Sequence, residues 1–98
     1  MKIVCKPIRS GKTHDAIDIA NKTGAYLVVM NKDEAKRVSS EYELERFPVT
    51  FSELVSGKLK GSFVRSIVID NADELLQMMF RDLKIEAITI NKDEAFVK

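Results

Sequence analysis

Four short apolar runs, separated by stretches with helical spacing, constrain this chain most. They are Ile3-Val-Cys5, Ala25-Tyr-Leu-Val-Val-Met30, Phe63 to Asp70, and Ile85-Glu-Ala-Ile-Thr-Ile90. A short continuous run such as Ile3 to Cys5 suits a strand covered on both faces. Between the first two, Ala16, Ile17 and Ala20 recur at helical spacing, and Thr23-Gly24 supplies a stop. After the second, Asn31-Lys-Asp-Glu34 reads as a capping box opening a helix that runs into Val38. After the third, Leu75, Leu76, Met79, Phe80 and Leu83 form one apolar stripe. A last helix is expected from Asn91. Strand and helix in alternation imply parallel strands joined by right-handed crossovers. The expected fold class is therefore α/β: a three-layer sandwich with a mainly parallel four-stranded sheet and helices on both faces, one domain over residues 1–98. The stretch 41–61 carries least pattern. There Phe47-Pro-Val-Thr-Phe51 suits an edge strand, because Pro48 cannot donate to a ladder, and Ser52 to Ser56 suits a short helix closed by Gly57. Asn31-Lys-Asp-Glu-Ala35 recurs as Asn91-Lys-Asp-Glu-Ala95, which strand-to-helix capping explains without a duplication.

Charge and composition exclude several classes. Sixteen basic against fifteen acidic residues leave a net charge of +1, so no bulk field draws in nucleic acid or an anionic membrane. No apolar run approaches the ~20 residues that span a bilayer, and Met1 to Cys5 is too short for a signal peptide. A single cysteine, Cys5, excludes an internal disulfide and any multi-cysteine zinc site. The expected location is the cytoplasm.

Chemistry concentrates at the ends of two of the runs. Lys6-Pro-Ile-Arg-Ser-Gly-Lys-Thr13 follows the first, and Ser66-Ile-Val-Ile-Asp70 closes the third. Ligands of parallel sheets bind beyond the carboxyl ends of strands, where both motifs lie. In a phosphate loop, backbone N–H groups and a lysine cradle the phosphates, a hydroxyl faces Mg²⁺, and an aspartate on a second strand holds the metal, partly through water. Ser10, Gly11, Lys12 and Thr13 are the phosphate-binding candidates, and Thr13 and Asp70 the metal-side pair. Lys6 stands where the usual pattern has its first glycine, and Pro7 fixes its own φ, so the chain must leave the strand differently. The plainer alternative for Ser10 to Thr13 is a turn and helix start. Arg9 is a candidate aid to phosphate charge or a solvated arginine; His14 reads as an exposed first-turn residue.

Ile67-Val-Ile-Asp70-Asn-Ala-Asp-Glu-Leu75 resembles the Walker B segment of P-loop ATPases of the additional-strand, catalytic-glutamate division, which includes RecA-like and AAA+ proteins. The resemblance implies a truncated P-loop fold that binds magnesium with ATP or another nucleoside triphosphate. Asp70 matches the magnesium-side aspartate and Asp73 the fourth position of the motif. The family's water-polarising glutamate is replaced by Asn71, which hydrogen-bonds but cannot take a proton. The resemblance thus implies binding with slow or absent hydrolysis, with Asp73 or Glu74 as a substitute only if the following helix is wound differently from the family pattern. Asn71 has a competing role as a helix cap with Glu74, mirroring Asn31 with Glu34. Asn91 corresponds to the family's γ-phosphate sensor and competes with capping in the same way. Arg65 and Arg81 are the nearest candidates for an arginine finger given to a neighbouring subunit. The chain also looks like small P-loop-type proteins of phages of Gram-positive bacteria, which would place it in a host cytoplasm. Its loop is similar to that of thymidine-kinase-type enzymes too, but their zinc-bearing lasso has no counterpart here.

Three functions stay open. One is a nucleotide- or phosphate-binding protein, at most a weak ATPase, acting as an accessory protein or oligomer subunit. Another is a degenerate P-loop fold serving as a protein-interaction module. The last is nucleic-acid binding through Lys58, Lys60 and Arg65 with Phe63 interleaved.

Overall fold

Strands and helices alternate along the chain: β1 (Ile3–Val4), α1 (Lys12–Thr23), β2 (Tyr26–Val29), α2 (Lys32–Glu41), β3 (Val49–Thr50), α3 (Phe51–Val55), β4 (Ile67–Ile69), α4 (Ala72–Met79) and β5 (Phe96–Val97). The computed structural model describes residues 3–4, 11–57, 64–89 and 96–97. The chain divides into two units, one Thr13–Asp70, the other Met1–Lys12 with Asn71–Lys98.

The first unit is built on a three-stranded parallel sheet in the order β3-β2-β4. β2 is central because its Leu-Val-Val run is buried throughout, whereas Pro48 keeps β3 at an edge as its missing N–H requires. Leu27 and Val29 project to one face and meet Ala16 and Ile17 of α1, Ala35 and Val38 of α2, and half-buried Val68 of β4. Val28, which alternates to the opposite face of β2, is buried as well, at 3% exposed. Leu27 is 1% exposed, so Leu27→Ala would cost on the order of 2–5 kcal/mol.

Helix ends in this unit follow local chemistry. Gly24, at φ +78°, closes α1, and the Ala25 N–H returns to the Ala20 carbonyl at 3.1 Å, a six-to-one closure. Asn31 caps α2: its Oδ1 accepts the Glu34 N–H at 2.9 Å. On the outer face of α2, Arg37 forks between Glu34 and Glu41. The short helix α3 opens on Thr50 rather than Ser52, in a reciprocal capping box with Glu53.

In the second unit β1 pairs with β5 in parallel, Ile3 opposite Phe96 and Val4 opposite Val97. The expected fourth strand of the main sheet is not formed: residues 84–89 have no regular structure, and Ile88 is 60% exposed. A β-prone sequence becomes a strand only when a ladder accepts it, so Ile85-Glu-Ala-Ile-Thr fails as a predictor by itself. The stripe helix is also shorter than its periodicity predicts. α4 stops at Met79, Phe80 leaves helical geometry, and only Leu75 of the stripe is buried. Among the described residues of the run expected from Phe63 to Asp70, Ile67–Ile69 forms strand, prolonged by one bond from the Tyr26 N–H to the Ser66 carbonyl at 3.1 Å. The predicted helix at Asn91, and the second Asn-Lys-Asp-Glu-Ala copy, lie outside the described residues. Among the described residues no helix is long and apolar enough to cross a membrane.

Candidate functional site

Parallel strands bring their carboxyl ends to one edge, where Asp70 follows β4 and Thr50 closes β3. β4 ends at Ile69, so Asp70 is the first residue past the sheet. Thr13 is the second residue of α1. The Thr13 hydroxyl donates to Asp70 Oδ2 at 2.9 Å across 57 residues of chain, and the bond is partly shielded from solvent. A hydroxyl bonded to a carboxylate is among the stronger side-chain contacts, worth on the order of 1.5–3 kcal/mol. Of the residues the sequence singles out, these two are brought together. They form a pair of hard oxygen ligands, which suits Mg²⁺: that ion takes one or two protein carboxylates and completes its shell with phosphate and water. Among the described residues no group of three or more His, Cys, Asp or Glu is gathered, so a dedicated all-protein cage of that kind is not seen there.

The other loop candidates flank Thr13 in sequence. Gly11, immediately before α1, adopts φ +90°, a conformation that side-chain-bearing residues rarely take. A Cβ there would meet nothing within 4 Å, so the need for glycine is torsional and not steric. Lys12 is the first residue of α1 and is partly exposed. Cys5, Lys6, Arg9 and Ser10 lie outside the described residues. His14 is exposed and stands edge-on to Tyr42, with ring centroids 5.0 Å apart and planes at 81°. That contact gives His14 a packing role between α1 and the end of α2.

Asn71 departs from its expected cap. It occupies the N-cap position of α4, but its backbone is left-handed, at φ 55° and ψ 52°, and its side chain makes no capping hydrogen bond. Among the described residues it is the one non-glycine with positive φ. Asparagine tolerates this region better than most residues, whereas a longer or branched side chain is strained there. Backbone geometry therefore gives position 71 a reason to be Asn. Asp73 and Glu74 are exposed in the first turn of α4, and Arg65 and Arg81 are exposed as well. Asn91, Lys58, Lys60 and Phe63 lie outside the described residues.

A second cluster occupies the same edge and was not singled out from the sequence. Val28 lies opposite Ile69 and Val29 opposite Thr50, so Asp70 and Thr50 sit in one row on either side of β2. With adjacent strands ~4.8 Å apart, that row spans about 10 Å. Thr50 and Glu53 close their capping box, the Thr50 N–H donating to Glu53 Oε1 at 3.0 Å. Lys32 Nζ meets the same oxygen at 3.1 Å and stands 5.9 Å above the Phe47 ring. The Thr50 backbone bond, then Lys32, hold the Glu53 carboxyl below its usual value. The signal for this cluster was legible as Thr-x-x-Glu at 50–53. Comparison of the chain with family models, with curated proteins and with solved structures gave no match in any of the three.

Proposed function

We propose that this chain is a phosphate-binding domain of P-loop type that takes magnesium with a nucleoside triphosphate and turns it over slowly or not at all. The observation that carries the reading is the bond from Thr13 to Asp70, a hydroxyl at a helix start joined to a carboxylate at a strand end. In this reading Ser10, Gly11 and Lys12 receive the phosphates through backbone N–H groups and the lysine ammonium. Thr13 and Asp70 would hold the metal, which supplies charge to the phosphate oxygens. Binding requires the Thr13 hydroxyl to turn its lone pair toward the ion, while Asp70 keeps its place at the strand end. Asn71 orients without accepting a proton, which favours retention of the ligand over hydrolysis.

The test is the melting temperature of the wild type and of Lys12→Ala with rising Mg-ATP, Mg-ADP and inorganic phosphate. A ligand bound only by the folded state stabilises it by RT ln(1 + [L]/Kd), so weak binding is visible at millimolar ligand. The expected result is a nucleotide-dependent rise that needs Mg²⁺ and is lost in Lys12→Ala. No rise in the wild type removes the proposal.

A further inference from the structure

The unit containing α4 carries a feature that phosphate binding does not use. An open groove of about 400 Å³ runs between α4 and the segment after it, lined by Asp73, Glu74, Leu76, Gln77, Ile85, Ala87 and Ile88. Gln77 shapes one end, donating from Nε2 to the Leu83 carbonyl at 2.8 Å and so tethering the turn at 80–83 to the helix. The remaining lining divides by chemistry. Leu76, Ile85, Ala87 and Ile88 give an apolar floor, and Asp73 and Glu74 give two exposed carboxylates in the first turn of α4. No lysine or arginine is among the described lining residues. Lys84 is turned to Glu86 at 3.6 Å, on side chains 82% and 78% exposed.

The same stretch of chain also exposes apolar side chains that a solvated helix does not need. Met78 is 57% exposed, Met79 48%, Phe80 46% and Leu83 65%. Methionines are unbranched and re-pack readily, which suits a surface that receives another chain's side chains. Concentrated exposed apolar residues beside a polar rim mark an interaction site more often than scattered single ones do.

We propose that this groove docks a short basic, apolar peptide segment of a partner protein. Its leucine-sized side chains fill the floor formed by Leu76, Ile85 and Ile88, and its lysine or arginine side chains meet Asp73 and Glu74. Charge complementarity selects that occupant. An acidic segment or an anionic membrane would bring like charge against the two carboxylates, and a purely apolar segment would leave them without partners.

The proposal is tested with the full chain, without nucleotide or magnesium, so that its outcome is independent of phosphate binding. The probe is a fluorescein-labelled amphipathic peptide of leucine and lysine, about three helical turns long. Two comparators accompany it: the same peptide with glutamate for lysine, and vesicles of phosphatidylserine. Saturable binding of the lysine peptide below about 100 µM is expected, with none to either comparator. Asp73→Asn combined with Glu74→Gln is expected to weaken binding about five-fold. Ile88→Asp, at an exposed position and expected to leave the far-ultraviolet dichroism unchanged, is expected to weaken it at least as much. Absent binding, equal binding of the glutamate peptide, binding to the vesicles, or indifference to both sets of substitutions would overturn the proposal.

Discussion

Asn31 and Asn71 occupy the same place in two strand-to-helix junctions of nearly the same sequence, Asn-Lys-Asp-Glu and Asn-Ala-Asp-Glu, yet they do different things. Asn31 is extended, at φ −153°, and its side chain accepts the Glu34 N–H. Asn71 is left-handed, and its side chain makes no such bond, although its carbonyl still accepts the Leu75 N–H at 3.1 Å. The residue before each differs as well. Met30 is an apolar side chain at the exit from β2, whereas Asp70 is tied to Thr13 at 2.9 Å. A carboxylate held at a fixed point constrains the backbone that carries it, and the next residue absorbs the turn. A capping signature thus reports what a junction can do when nothing else claims it. Where a long-range contact claims the neighbouring residue, the same letters take another conformation.

Substitution separates the two junctions most sharply with a β-branched residue. Asn71→Val places a branched side chain at positive φ and is expected to cost about 2 kcal/mol, measured by urea unfolding. Equal losses from Asn71→Val and Asn31→Val would mean that the two junctions are alike after all. Asn31→Ala removes a true side-chain cap and should cost about 1 kcal/mol by the same measurement. Asn71→Gly should be nearly neutral, within about 0.5 kcal/mol, since glycine enters the left-handed region freely and offsets this with its looser unfolded chain. A loss above that figure would show that the Asn71 side chain contributes a contact of its own.

The third capped junction, at Thr50, gives the smallest expected effect and a pH dependence. The folded-state pKa of Glu53 is lowered by the Thr50 bond and Lys32, so its stabilisation is present above the unfolded value near 4.5 and is lost as pH falls through the folded value. Acid unfolding between about pH 5 and pH 3 should be less steep in Glu53→Gln than in the wild type. Parallel acid limbs in the two proteins would remove Glu53 as a contributor.

Much of the first unit was legible residue by residue. The buried run at Ala25–Met30 forms the central strand, Pro48 marks an edge, Gly24 and Gly57 stop helices at φ +78°, and Asn31 caps as its spacing predicts. These features depend on neighbours within a few positions, where propensity and capping dominate. The candidate site was legible in its two halves, because a helix start and a strand end each leave a local trace. Less legible was everything that needs a distant partner. Residues 84–89 have strand-like sequence without a ladder, and the stripe of α4 has periodicity without burial beyond Leu75.

The sequence by itself determined the order of elements in Thr13–Asp70, the parallel character of its sheet, and the residue types available at its carboxyl edge. These follow from short-range steric preference and from the apolar periodicity of each run. Tertiary structure alone decided that Thr13 meets Asp70, that Asn71 turns left-handed instead of capping, and that Lys32, Phe47, Thr50 and Glu53 share one cluster. Each of those outcomes rests on a contact between different elements, or on the backbone turn beside one, and so on register and packing that no local window encodes.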